Sequence, residues 1–103
     1  GGGVNQKQKV KLVAQKIPTN WREGTDYTKA AGLKTGDIVV CRRSDRTLRF
    51  AQVASVVGGG ILELVVEANP DGTPSLSKQE RETSLFRPKT LPIPGAAPAP
   101  AAP

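Results

Sequence analysis

Gly36-Asp37-Ile38-Val39-Val40-Cys41-Arg42 opens the stretch that decides the fold; it continues through Leu48-Arg49-Phe50-Ala51-Gln52-Val53-Ala54-Ser55-Val56-Val57 to Gly58-Gly59-Gly60 and Ile61-Leu62-Glu63-Leu64-Val65-Val66-Glu67. β-Branched residues crowd the first and last of these segments, and such residues pack well on a pleated surface. Ser44-Asp45-Arg46 between the first two supplies turn chemistry. The three glycines accept positive φ without steric cost, so the segments on either side of them predict a hairpin. The middle segment is ambiguous by period. Leu48, Phe50, Val53, Ala54 and Val57 fit a helical repeat, whereas Ala51, Val53 and Val57 fit alternation with a break at Ser55. Its β-branching and the flanking glycines favour a strand.

Outward from this centre the signals weaken. Residues 8–17 place Val10, Leu12 and Ala14 on one side and Lys9, Lys11 and Val13 on the other, which predicts a half-buried strand ended by Pro18. Thr19 to Gly24 reads as a loop carrying the only tryptophan, Trp21. Tyr27 to Ala31, with Asp26 as cap and Gly32 as stop, predicts a short helical connector. On the other side, Ala68 to Pro74 is loop. Ser75 to Glu82 predicts a polar helical turn, with Ser77 capping and Glu80 three residues on. Ser84 to Arg87 predicts a short last strand ending at Pro88.

These elements assign residues 1–7 to a flexible N-terminus, 8–90 to one domain and 91–103 to a disordered Pro/Ala-rich linker or tail. Of 103 residues, 37% are hydrophobic and 4% aromatic, so the core is small. No apolar run is long enough to span a membrane. Gly1 to Lys7 lacks the apolar centre of a secretory signal, which leaves an intracellular chain or one whose targeting segment has been removed.

The net charge of +6 is unevenly placed: eleven basic and four acidic residues precede Phe50, against four basic and five acidic from there on. A basic first half suits polyanions, because neutralising phosphates supplies affinity without sequence preference. Arg42, Arg43, Arg46 and Arg49 bracket the first turn. Lys7, Lys9 and Lys11 alternate on or before the expected first strand and would line one side of it. Trp21, among polar loop residues, is the aromatic best placed to stack on a base; Phe50 and Phe86 belong to strand-like patterns and are expected in the core. The candidate nucleic-acid-binding set is therefore Lys9, Lys11, Trp21, Arg42, Arg43, Arg46 and Arg49. The same features suit a soluble face that meets an acidic protein partner.

Catalytic and metal chemistry find no constellation. The chain has one cysteine and no histidine, which excludes a disulfide framework, zinc-finger ligation and His-dependent nucleophilic catalysis in their usual forms. Cys41 follows an apolar run and is expected to be a buried structural thiol. Asp37, Asp45 and Asp71 sit in turn contexts where a short carboxylate bonds nearby backbone, and Glu63 and Glu67 are expected to face outward from a strand. No cofactor, metal or enzymatic activity is expected.

Gly36 to Asp45 followed by Arg49-Phe50-Ala51-Gln52-Val53 resembles the Tudor pattern of Gly-Asp, hydrophobic strand, acidic turn residue and aromatic/arginine-Ala-x-Val strand. A strand, a connector, three successive strands and a short last strand is also the order of a five-stranded SH3-like barrel, the architecture of Tudor and KOW modules. The resemblance implies a mainly β fold, a small barrel with short helical connectors, and a non-catalytic binding module for RNA or a ribonucleoprotein surface. It does not extend to a methyl-lysine cage, because Glu67 to Gly72 holds no aromatic where that cage would be completed. A second segment, Ala30-Ala31-Gly32-Leu33-Lys34-Thr35-Gly36-Asp37-Ile38-Val39, is similar to PDZ domains. That alternative makes Phe50 to Val57 a helix and the protein a peptide-binding scaffold.

Overall fold

The computed structural model describes residues 6–92. One helix, α1 (Gln6–Leu12), precedes six strands: β1 (Tyr27–Lys29), β2 (Ile38–Arg42), β3 (Leu48–Gly58), β4 (Ile61–Ala68), β5 (Pro74–Arg81) and β6 (Phe86–Pro88). The strands form a single antiparallel sheet in the order β1-β6-β2-β3-β4-β5. The protein is thus mainly β. The five-stranded barrel expected from the sequence is corrected to six strands, and no ladder joins β1 to β5 among the described residues, so the sheet is not closed.

β2 is buried from Ile38 to Cys41 because the sheet has apolar material on both faces. On one face Val39, Cys41, Ala51 and Val53 meet Leu62, Leu64 and Val66 of β4, with Ala30, Leu33 and Leu85 from the connections. On the other, Ile38, Val40 and Phe50 meet Leu12, Ile17 and Tyr27. A strand covered on both sides reads as a continuous apolar run, as Ile38-Val39-Val40-Cys41 does. Cys41 is fully buried, in line with a structural thiol, and burial pushes its thiol pKa up.

β3 is a strand throughout, so the helix that the PDZ-like alternative placed at Phe50 to Val57 is corrected. Its ambiguous period has a physical cause. The register with β4 runs Val53↔Leu64, Ser55↔Glu63, Val56↔Leu62 and Gly58↔Ile61, so Ala54 and Val57 are extra residues on the β3 side. Each bulge breaks alternation and adds twist. Gly58, Gly59 and Gly60 take φ of 118°, 62° and 80° to close the hairpin.

Three local expectations are overturned by longer-range pairing. The first half of the expected strand at residues 8–17 is α1, built from the good helix formers Gln, Lys and Leu; Gln6 and Lys7, expected in a flexible leader, open it. Ala14 leaves the helix at φ 72°, and its N–H donates to Phe50 O at 2.8 Å. Phe50 N–H then donates to Gln15 O and Ile17 N–H to Leu48 O, so residues 14–17 cover the edge of β3 that β4 leaves open. Tyr27 to Lys29, expected as a helical connector, is β1: Asp26 accepts from the Arg22 N–H and closes the preceding turn instead of capping a helix. Ser75 to Glu82, expected as a helical turn, supplies most of β5, which pairs with β4 from Ile61 to Ala68. Its polar sequence suits an edge strand. A single 3-10 turn at Glu82–Ser84 leads into β6.

Residues 1–5 of the expected leader and the Pro/Ala-rich tail from 93 onward lie outside the described residues. Leu91, expected in the tail, packs against the Leu12–Phe50 cluster.

Candidate functional site

The loop between β2 and β3 is short and internally braced. Arg43 N–H donates to Thr47 O at 2.9 Å, and Arg46 N–H to Arg43 O at 2.9 Å. Arg46 sits at φ 70°, the left-handed conformation that lets a tight loop return to its strand. Asp45 accepts from the Thr47 N–H and hydroxyl and, through Oδ2, from the Arg49 guanidinium at 3.2 Å. The Thr47 hydroxyl first, then the Thr47 N–H and Arg49, hold the Asp45 carboxyl down at about 2. Asp37 and Asp71 likewise accept from nearby backbone N–H groups, as their turn contexts predict. Glu67 is exposed, and Glu63 is partly covered.

The loop divides the four arginines by face. Residues of β3 alternate, so Leu48 and Phe50 join the cluster around Leu12 while Arg49 faces the other way. Arg49 donates to Thr47 Oγ1 and Ala14 O; Arg43 donates to Val66 O at 3.1 Å and approaches Glu67 at 3.6 Å. Both are partly buried, and with Ala14, Ser44, Asp45 and Glu67 they line a polar recess of about 160 Å³. These two guanidiniums bridge separate pieces of chain. Arg42 and Arg46 are exposed, and Arg42 Nη1 donates to Arg46 O at 3.1 Å. Among the described residues no carboxylate lies within salt-bridge distance of either.

Arg42 is the cross-strand partner of Leu48. Paired residues share a face, and Leu48 lines an open groove of about 310 Å³ with Ile17, Pro18, Trp21, Tyr27 and Thr47. Trp21 is partly buried: its ring stands edge-on to Phe50 at 5.9 Å, and its backbone N–H donates to Pro18 O. The predicted set is therefore partly assembled. Trp21 lines the groove and Arg42, bonded to Arg46 O, pairs with the groove residue Leu48, whereas Arg43 and Arg49 lie on the opposite face.

Lys9 and Lys11 are on α1, not on a strand. Residues two apart on a helix diverge by roughly 200°, so the expected row of lysines on one strand face does not exist. α1 nonetheless reaches the same end of the sheet, since Ala14 lies against Arg49 and Val10 lies near Gly72. Lys16, opposite Arg49 in the bridge and at the groove, and Thr47 were not singled out by sequence reasoning. Their signal is the long-range pairing of residues 14–17 with β3, which no local pattern carries. Phe50 is in the core as expected, and Phe86 is a partly buried neighbour of Tyr27 at 5.2 Å.

No group of three or more His, Cys, Asp or Glu residues among those described is arranged to hold a metal ion. No described helix is long and apolar enough to cross a membrane. Family models, curated proteins and solved structures were all compared with this chain, and none matches it.

Proposed function

We propose that this chain is a non-catalytic binding module that contacts RNA or a ribonucleoprotein surface through its basic loop end, on a framework related to the SH3-like barrel. The relation rests on a short first strand paired with the last, an antiparallel meander between them and a mainly β core. The sixth strand and the open sheet edges depart from that plan.

The observation that supports the functional reading is that Arg42, exposed and bonded to Arg46 O in the loop, pairs across the strands with Leu48, which lines the same groove as Trp21. Guanidiniums with no carboxylate partner among the described residues can take phosphate oxygens in a forked geometry. Trp21, edge-on to Phe50 in the groove wall, offers a surface on which an unpaired base can stack. Lys9 and Lys11 extend the positive field at the same end and make no ordered contact with the groove.

The test is a titration with mixed single-stranded RNA oligomers, followed by Trp21 fluorescence and backbone amide shifts at low and physiological salt. Saturable shifts at the β2–β3 loop and groove are expected. If about three phosphates are neutralised, tripling the salt weakens binding roughly tenfold. Absence of shifts at low salt overturns the reading. A protein-interaction module is the second reading, favoured by the apolar lining from Ile17, Pro18, Trp21 and Leu48. Its binding would change little with salt.

A further inference from the structure

We propose that the groove between Pro18, Trp21 and Tyr27 is a docking site for the chain's own proline-rich segment beginning at Pro92-Ile93-Pro94. The direction of the chain carries this inference. β6 runs antiparallel to β1 with Pro88 opposite Tyr27, and the Lys89 N–H donates to Asp26 O at 2.8 Å. This pairing brings the chain after β6 alongside the turn that enters β1. Leu91 is already packed against the cluster that holds Trp21, Leu48 and Phe86 at its border, and Pro92 is partly buried. The last described residues before the proline-rich segment thus pack on the cluster that borders the groove, and Tyr27 belongs both to the strand pair that leads to them and to the groove wall.

The chemistry of segment and groove agrees. From Leu91 to Pro103 there is no charged residue, and prolines recur at 92, 94, 98, 100 and 103. Proline favours polyproline II, which has no internal hydrogen bonds and little conformational entropy left to lose on docking. Three such residues span about 9 Å, and their rings and the Ile93 side chain are apolar partners for an aromatic-lined wall. Anchoring at Leu91 makes the contact intramolecular, at an effective concentration on the order of millimolar for so short a tether. The groove is then self-covered, and any outside ligand that stacks on Trp21 must first displace the segment.

Two measurements on the full chain test this. In isotope-labelled protein, nuclear Overhauser contacts are expected between the Ile93 methyls and the Trp21 indole, unchanged on dilution. In the full-chain variant Pro92→Ser/Pro94→Ser those contacts should vanish and acrylamide quenching of Trp21 should rise at least twofold, with the β2–β4 amide shifts retained. Absence of Ile93–Trp21 contacts in the wild-type chain overturns the proposal whatever the variant does, and leaves the groove open to an outside partner. Contacts seen only between labelled and unlabelled copies in a mixed sample also overturn it, by assigning the groove to a second copy.

Discussion

At the scale of single residues, the β2–β3 loop shows why a charge cluster read from sequence divides once it is folded. Asp45 is held by Thr47 and Arg49, and this fixes the side chain of Arg49 along the strand rather than out into solvent. The carboxylate's own titration reports that arrangement. Its folded pKa, about 2, lies below the ordinary value near 3.8, so the ionised form is favoured by folding. The contribution is fully present above the unfolded value and is lost as pH falls from about 4 toward about 2. Thermal unfolding between pH 5 and 2 should therefore show a smaller drop in Tm for Asp45→Asn than for the wild type. Asp71, lowered in the same way by the Thr73 hydroxyl and N–H, retains its own share of the acid sensitivity in that variant. An identical fall in both proteins would show that the Thr47 contacts do not persist in solution.

At the scale of elements, legibility followed the range of the interactions that form each one. Ile38 to Cys41, Gly58 to Gly60 and Ile61 to Val66 were readable because β-branching, glycine and burial act locally and agree. The period of β3 was blurred by the extra residues Ala54 and Val57, which no composition rule announces. β5 was missed because its strand state comes from pairing with β4 across a polar sequence of weak intrinsic preference. α1 was missed because Val10, Leu12 and Ala14 also fit alternation, while the helix is decided by Leu12 packing beneath Phe50. Fully buried Leu12 provides the test. Leu12→Ala should destabilise by about 2–5 kcal/mol, through lost transfer energy and the cavity left behind, as measured by urea unfolding. A change below about 0.5 kcal/mol would place α1 outside the cooperative unit, as a leader would be.

At the scale of the whole molecule, the two-sided core explains how much of the candidate site the sequence disclosed. It pointed to the β2–β3 loop and to Trp21, because charge and an isolated tryptophan are visible in one dimension. It did not disclose the faces, which follow from residues 14–17 covering one edge of β3 and from Arg43 reaching the Val66 carbonyl of β4. Four arginines in eight positions consequently serve two ends: Arg43 and Arg49 tie β3, β4 and the segment after α1 together, and Arg42 and Arg46 remain at the surface. Paired substitutions separate these roles. Arg42→Gln/Arg46→Gln should leave the urea midpoint unchanged while weakening binding to single-stranded RNA, and should reduce the slope of log K against log salt by roughly 1.4, the loss of two phosphate contacts. Arg43→Gln/Arg49→Gln should lower the urea midpoint, because removing the guanidiniums leaves the Ala14 and Val66 carbonyls with one partner fewer in partly buried positions. The order of the two effects is what matters. If the second pair reduces the salt slope as much as the first without loss of stability, the braced face, and not the Trp21 groove, is where phosphate is met.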